Sequence, residues 1–278
     1  MKIAVLSDIH GNLPALHTIL AHVDAWQPDR VFVNGDIVNR GPWPVACLAL
    51  MEERRQTQGW QLIRGNHEDY VLSNADPHLP TNGPEFEIRR NSYWTYQKLN
   101  GELQALRQMP HLISFAGPDG AEVRLTHASI RNNRESLFPE MPDGVLRDKI
   151  GPLPALFATA HTHRAFVRQL DHAVVINTGS VGMPFDGDLR AGYGQLCWQH
   201  GRWQAKVVRL PYDVPAAVAG FKDSGFLDEA GPIARLMLRE LELAMPLTFA
   251  WEKEYRKAIV AGKISVEASV DAVLSLTY

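Results

Sequence analysis

Short apolar runs that break into polar clusters constrain this chain more than anything else in it. Ile3–Ser7 runs into Asp8-Ile9-His10-Gly11-Asn12, Val31–Asn34 into Gly35-Asp36 and then Asn39-Arg40-Gly41, and Gln61–Arg64 into Gly65-Asn66-His67-Glu68. The first cluster is followed by Leu13, Leu16, Leu20 and Val23 on one helical face, with Asn12 as N-cap. Strand, polar turn, amphipathic helix, strand is the rhythm of a βαβ unit, so the pattern predicts an α/β fold with a mostly parallel sheet. Sites in such sheets gather at the carboxyl ends of strands, and three polar clusters at three successive strand ends therefore predict one.

Residues 84–110 read as helical, interrupted near Asn100–Gly101. Strands are expected at Glu122–Thr126, Leu156–Ala160, Ala173–Asn177 and Trp203–Leu210, with Tyr193–Trp198 paired to the last. Past Pro211 the pattern turns helical, over Ala216–Lys222, Pro232–Leu243, Leu247–Ala258 and Ser265–Leu274, and histidine disappears. The expected organisation is a catalytic domain over 1–210 and a helical C-terminal extension over 211–278 packed on the same domain. A formal net charge of −3 gives no general attraction to nucleic acid or acidic membranes. The N-terminal apolar run stops at Asp8, too short for a signal peptide, and no stretch approaches the ~20 apolar residues of a membrane span. Cys47 and Cys197 belong to no CxxC pair and are expected to be buried thiols in a reducing compartment. A cytoplasmic protein is the simplest expectation.

Asp8 and His10 stand two apart, as do His161 and His163 in Ala160-His161-Thr162-His163. At a strand end, period-two geometry would aim each pair the same way. With Asp36, Asn66 and the His127 of Leu125-Thr126-His127-Ala128-Ser129, they make seven nitrogen and oxygen donors. One divalent ion rarely takes more than six. Seven donors, with one carboxylate bridging, suit two ions a few ångströms apart. A lone strand-end histidine is more often a structural hydrogen-bonder, and either two-residue spacing alone is weak; the five segments in this order are the signal. Gly179-Ser180-Val181-Gly182 lacks the spacing of a nucleophile elbow, which excludes serine catalysis.

These segments resemble the calcineurin-like metallophosphoesterases over about residues 1–210. Ile176–Tyr193 is similar to the segment after the last histidine pair in the bacterial branch, which includes diadenosine tetraphosphate hydrolases and phosphodiesterases. The resemblance implies a four-layer α/β/β/α sandwich with its site on one edge. It implies Asp8, His10, Asp36 and His163 on one metal, and Asp36, Asn66, His127 and His161 on the other. Mn²⁺ is the first choice of occupant, with Fe or Zn²⁺ as alternatives. Two cations would acidify a shared water, whose hydroxide attacks phosphorus in line with the leaving oxygen. His67 takes the family's general-acid position, and Arg40 offers a fork donor for phosphate oxygens.

Two departures bear on function. The protein-phosphatase branch has Asp just before this Arg; here it is Asn39, which can orient His67 but adds no charge to raise its pKa. Ala160 stands where the family often has Gly. Arg64, Arg131, Arg164 and Arg190 lie in or beside the site-bearing segments, and Arg190 is the favoured additional substrate binder, although each alone reads as surface charge. Tyr93, Trp94 and Tyr96 could stack a base but more simply pack a helix. The expected activity is hydrolysis of a phosphate mono- or diester, of a nucleotide or dinucleotide polyphosphate. A protein phosphatase and a catalytically dead binding scaffold are the alternatives. The scaffold is disfavoured because all seven ligands and His67 are intact.

Overall fold

The computed structural model describes residues 1–276. Two five-stranded mixed sheets carry the fold. In the first, β1 (Lys2–Leu6), β2 (Arg30–Asn34) and β3 (Gln61–Ile63) run parallel, linked by α1 (Leu13–Trp26) and α2 (Pro44–Gln58). The hairpin of β9 (Ala191–Gln199) and β10 (Arg202–Leu210) completes it, β9 lying antiparallel to β1. In the second, β5 (Glu122–Thr126), β6 (Leu156–Thr159) and β8 (Ala173–Asn177) run parallel. Edge strands β4 (Leu112–Ala116) and β7 (Phe166–Leu170) are antiparallel to their neighbours.

Strand alternation sets the layers. Ile3, Val5, Phe32 and Ile63 point between the sheets, onto Val123, Leu125, Leu156, Ala158 and Ile176. Ala4, Leu6, Val31 and Val33 point the other way, onto Leu16, Ile19, Leu20, Cys47 and Met51 of α1 and α2. Phe157, Leu170 and Val175 pack onto Leu146 and Ile150 of α6 (Asp143–Ile150). The result is an α/β/β/α sandwich, and β1 and β2 read as unbroken apolar runs because both of their faces are covered. Each fully buried large apolar side chain here stabilises the fold by roughly 1.5–3 kcal/mol.

The expected strands form, within a residue or two at the ends. The sheets are mixed rather than mostly parallel, and β4 and β7 were not expected. Both are edge strands with only one face on the core, so their sequence lacks the continuous apolar run of the central strands. Helices α2 and α6, and those at Asn66–Ser73 and Phe226–Glu229, likewise lie outside the expected elements. The break near Asn100–Gly101 is real: α4 (Pro84–Lys98) ends before it and α5 (Gln104–Gln108) follows. Asn12 caps α1 as expected, its Oδ1 accepting from Ala15 N at 3.1 Å. Cys47 is buried, but Cys197 on β9 is only half-buried, and neither forms a disulfide.

Beyond Leu210 come α7 (Val214–Asp223), α8 (Phe226–Glu229), α9 (Ile233–Leu243), α10 (Leu247–Val260) and α11 (Val266–Leu274). They share a core of Phe221, Phe226, Leu236, Met237, Trp251 and Val270, into which Trp94 of α4 and Met183 also insert. Trp94 is therefore a packing residue, edge-on to Phe226 with its Nε1 donating to Glu229 at 2.7 Å. Gly220 of α7 lies so close to Trp43 that a Cβ there would stand 2.0 Å from the ring, which docks α7 against the start of α2. Among the described residues, no helix is long and apolar enough to cross a membrane.

Candidate metal centre

Every donor leaves the carboxyl end of a parallel strand. Asp8 and His10 follow β1, and Asp36, Asn39 and Arg40 follow β2. Asn66 and His67 open α3 (Asn66–Ser73) after β3; His127 follows β5, and His161 and His163 follow β6. The expected strand alternation is not what aims the paired residues. Asp8, His10, Asp36, Asn39, Arg40, His161 and His163 all have φ between +49° and +69°, the left-handed region that non-glycine residues rarely adopt. Each such residue costs of order 1–3 kcal/mol and persists only where its surroundings enforce it. Here they do: Asp8 N donates to Gly35 O, His10 N to Asp36 O and Gly11 N to Ile37 O, stitching the first two loops together at 2.9–3.0 Å. Asn34 Nδ2 reaches across to Thr126 O at 2.8 Å, tying one sheet to the other.

The structure brings the seven donors into one cluster, buried except for the half-buried His161. Candidate ligand atoms of Asp8, His10, Asp36 and His163 lie within 4.8 Å of one another, as do those of Asp36, His127 and His161. Asp36 belongs to both groups. Its Oδ2 is 3.6 Å from His10 Nε2 and 3.3 Å from His127 Nε2. Asn66 Oδ1 is 3.0 Å from His127 Nε2. His163 Nε2 stands 3.3 Å from Asp8 Oδ1 and 3.1 Å from His10 Nε2.

These donors fit cations on an observation independent of their identity. Asp8 Oδ1 is fully buried and has no hydrogen-bond partner, although an unsatisfied buried carboxylate oxygen is costly. The outer ring nitrogens are anchored to backbone, Nδ1 of His127 on Asn34 O at 2.7 Å and Nδ1 of His163 on Met183 O, which leaves each Nε2 facing the cluster. Burial pulls His127 down, but the Asp36 carboxylate against it more than reverses this and pushes the ring up to about 10. Burial holds His161 down to about 4, with the charge of His127 beside it acting in the same direction. Burial would raise Asp36, yet His127, His67 and His10 hold it well below the usual carboxylate range. The Asp36 anion thus faces a protonated His127, and a metal would take the place of that proton, because a ligating imidazole is neutral.

His67 lies beside the cluster, its ring edge-on to His10 with centroids 4.8 Å apart. Asn39 Nδ2 donates to His67 Nδ1 at 2.8 Å, an arrangement in which the neutral ring carries its proton on Nε2. Burial pulls His67 down to about 3. Arg40 is committed elsewhere: one terminal nitrogen donates to Glu240 of α9 and to Thr248 of α10, and Nε meets Met183 Sδ at 3.4 Å. The other arginines also have partners. Arg64 pairs with Asp69, Arg131 with Glu135 and Asp148, and Arg164 with Glu140. Arg190 pairs with Asp188 on the surface.

Sequence reading gave Glu68 no role of its own. The carboxylate is fully buried and accepts from Asp36 N, Ile37 N and Gly65 N, each at 2.8 Å. It thus fixes the Asp36 loop on the start of α3. Burial, with the Asp36 charge beside it, pushes the Glu68 carboxyl up to about 7 against those amides. Gly65 is required for the same junction, because a Cβ there would lie 2.1 Å from Asp36 Oδ1. Glu240, fully buried on α9, was also missed; its signal was an acidic residue on the apolar stripe of Ile233, Leu236, Met237 and Leu241.

A model of the calcineurin-like phosphoesterases matches residues 1–176. An uncharacterised protein of Methanocaldococcus jannaschii is 29% identical over 239 residues, 77% of this chain and 89% of that one. A metallophosphoesterase of Sphaerobacter thermophilus superposes with a TM-score of 0.69 at 25% identity, over 88% of this chain and 99% of that one. A hypothetical protein of Pyrococcus horikoshii shares the fold, with a TM-score of 0.71 at 20% identity over 84% of this chain and 97% of that one. The matched residues contain every strand end that supplies the cluster, so sequence, fold and site agree: this chain belongs to the calcineurin-like phosphoesterase family and is a metal-dependent phosphoric ester hydrolase.

Proposed function

We propose that the protein hydrolyses a phosphate mono- or diester of the nucleotide or dinucleotide polyphosphate class, at a centre of two metal ions sharing Asp36. The observation that carries this reading is the position of Asp36 in both donor groups. Asp8, His10 and His163 would complete one site, and Asn66, His127 and His161 the other. Mn²⁺ is the occupant we favour, over Fe or Zn²⁺. When bound, the ions supply an acidified water and neutralise charge on the phosphoryl oxygens. The cytoplasm, where Cys47 and Cys197 stay reduced, is the compartment that fits.

The chain's own residues supply the rest. His67, held by Asn39, faces the cluster through Nε2; as the imidazolium it would give the Nε2 proton to the leaving oxygen and return to the neutral ring, keeping its other proton on Nδ1 against the Asn39 amide oxygen. An amide in this role leaves His67 without a carboxylate partner, which separates this site from the protein-phosphatase pattern. Purified protein loaded with Mn²⁺ should turn over para-nitrophenyl phosphate, its bis ester or diadenosine tetraphosphate. Absence of turnover on all three, with metal confirmed bound, would overturn the reading, and faster hydrolysis of phosphopeptides would redirect it.

His67→Ala should lower kcat by about a hundred-fold or more, within the range for a lost general acid, while bound metal is unchanged. Steady-state kinetics beside elemental analysis checks this. An undiminished rate would remove His67 from the mechanism.

A further inference from the structure

Substrate recognition needs a cation near the metals, and almost every arginine around the cluster is already matched. Arg40 is held by Glu240, Arg64 by Asp69, Arg131 by Glu135 and Asp148, and Arg164 by Glu140. Arg134 differs. Its side chain is exposed and forms no salt bridge among the described residues. Its guanidinium instead lies 5.0 Å from the ring centre of Tyr70. Tyr70 is 39% exposed, and its ring stands edge-on to His67 with centroids 5.2 Å apart. The backbone of Arg134 is equally close to the cluster, since its carbonyl accepts from His161 Nε2 at 3.0 Å. An unmatched guanidinium over an accessible ring therefore borders the general-acid side of the site.

We propose that Arg134 and Tyr70 form a second subsite, which takes a further phosphate of the substrate together with the planar group next to it. Such a subsite favours esters whose leaving group carries its own phosphate, as in nucleoside and dinucleotide polyphosphates, over esters of a bare phenol. The position suits this, because His67, the residue beside the Tyr70 ring, is the one that would face the leaving group. The guanidinium brings fork geometry for phosphate oxygens, and the ring gives a face for stacking. This inference rests on the phosphoesterase reading above and adds to it the side on which the uncleaved part of the substrate lies.

The test compares Arg134→Ala with the parent, both loaded with Mn²⁺, on diadenosine tetraphosphate and on bis(para-nitrophenyl) phosphate. The second substrate is an aromatic diester without a further phosphate. The ratio of kcat/KM for the first to that for the second should fall about ten-fold or more, the loss expected when a charged hydrogen bond to phosphate is removed. Arg134→Lys should restore part of that ratio, since charge without the fork is weaker recognition. A ratio unchanged in Arg134→Ala, or a parent that cleaves the bis ester but not the tetraphosphate, overturns the subsite and leaves the phosphoesterase reading intact. A parent that cleaves neither, and no para-nitrophenyl phosphate, overturns both.

Discussion

Replacing Asp36 by asparagine will lower kcat on the order of a thousand-fold and reduce the metal the protein retains. Its Oδ2 is the atom that faces both donor groups, 3.6 Å from His10 Nε2 and 3.3 Å from His127 Nε2. Among the described residues, no other candidate ligand belongs to both groups. An amide keeps the size of the side chain and an oxygen that can still accept from His67 N, a bond of 2.9 Å here. What it loses is the charge. The electrostatic contribution of a metal centre is several kcal/mol, and each 1.36 kcal/mol is a factor of ten in rate. The variant should fold, because Glu68 still clamps the Asp36 loop to α3 through backbone amides rather than through this carboxylate. Elemental analysis, circular dichroism and turnover of para-nitrophenyl phosphate measure the three parts. Parental activity with full metal content would remove Asp36 from the bridging role proposed for it.

The second large effect concerns stability and the C-terminal helices. Glu240→Ala should destabilise the fold by about 3–5 kcal/mol, the usual cost of stripping one partner from a buried ion pair. Glu240 is fully buried, and the Arg40 side chain it meets is 10% exposed. The same carboxylate accepts from Thr248 N at 2.7 Å and Thr248 Oγ1 at 2.8 Å, so its loss also strands the start of α10. Arg40→Met with Glu240→Leu should recover most of the loss, because an apolar pair replaces an uncompensated charge. Urea unfolding of the parent, both single variants and the double variant gives the cycle. A cost below about 1 kcal/mol for Glu240→Ala would mean that water reaches Arg40 and the pair is not closed. Arg40 adjoins Asn39, which holds His67, so an altered Arg40 should also disturb the residue offered as general acid.

That pair separates two kinds of information. The donors of the candidate site were legible from sequence because their segments are local: an apolar run, a break, then Asp, His or Asn at fixed spacing. The central strands and the helices beyond Pro211 were legible for a related reason, since a face buried along its whole length writes its period into the sequence. Edge strands β4 and β7 were not, because half of each meets solvent and the period is diluted. Nor was the backbone that aims the donors. The two-residue spacing predicts Asp8 and His10, and His161 and His163, as strand residues pointing one way, yet each sits at positive φ, held there by hydrogen bonds from other loops.

The sequence by itself determined the α/β sandwich, the family and the set of side chains that could hold metals. Those follow from short-range pattern, and short-range pattern survives in one dimension. Tertiary structure alone decided that Arg40 answers to Glu240 two hundred positions away, that Glu68 spends its carboxylate on backbone amides, and that Arg134 meets no acid among the described residues. Charge pairing across the fold leaves no spacing in the chain. A guanidinium's freedom to meet a phosphate depends on which carboxylates the fold has already brought to it.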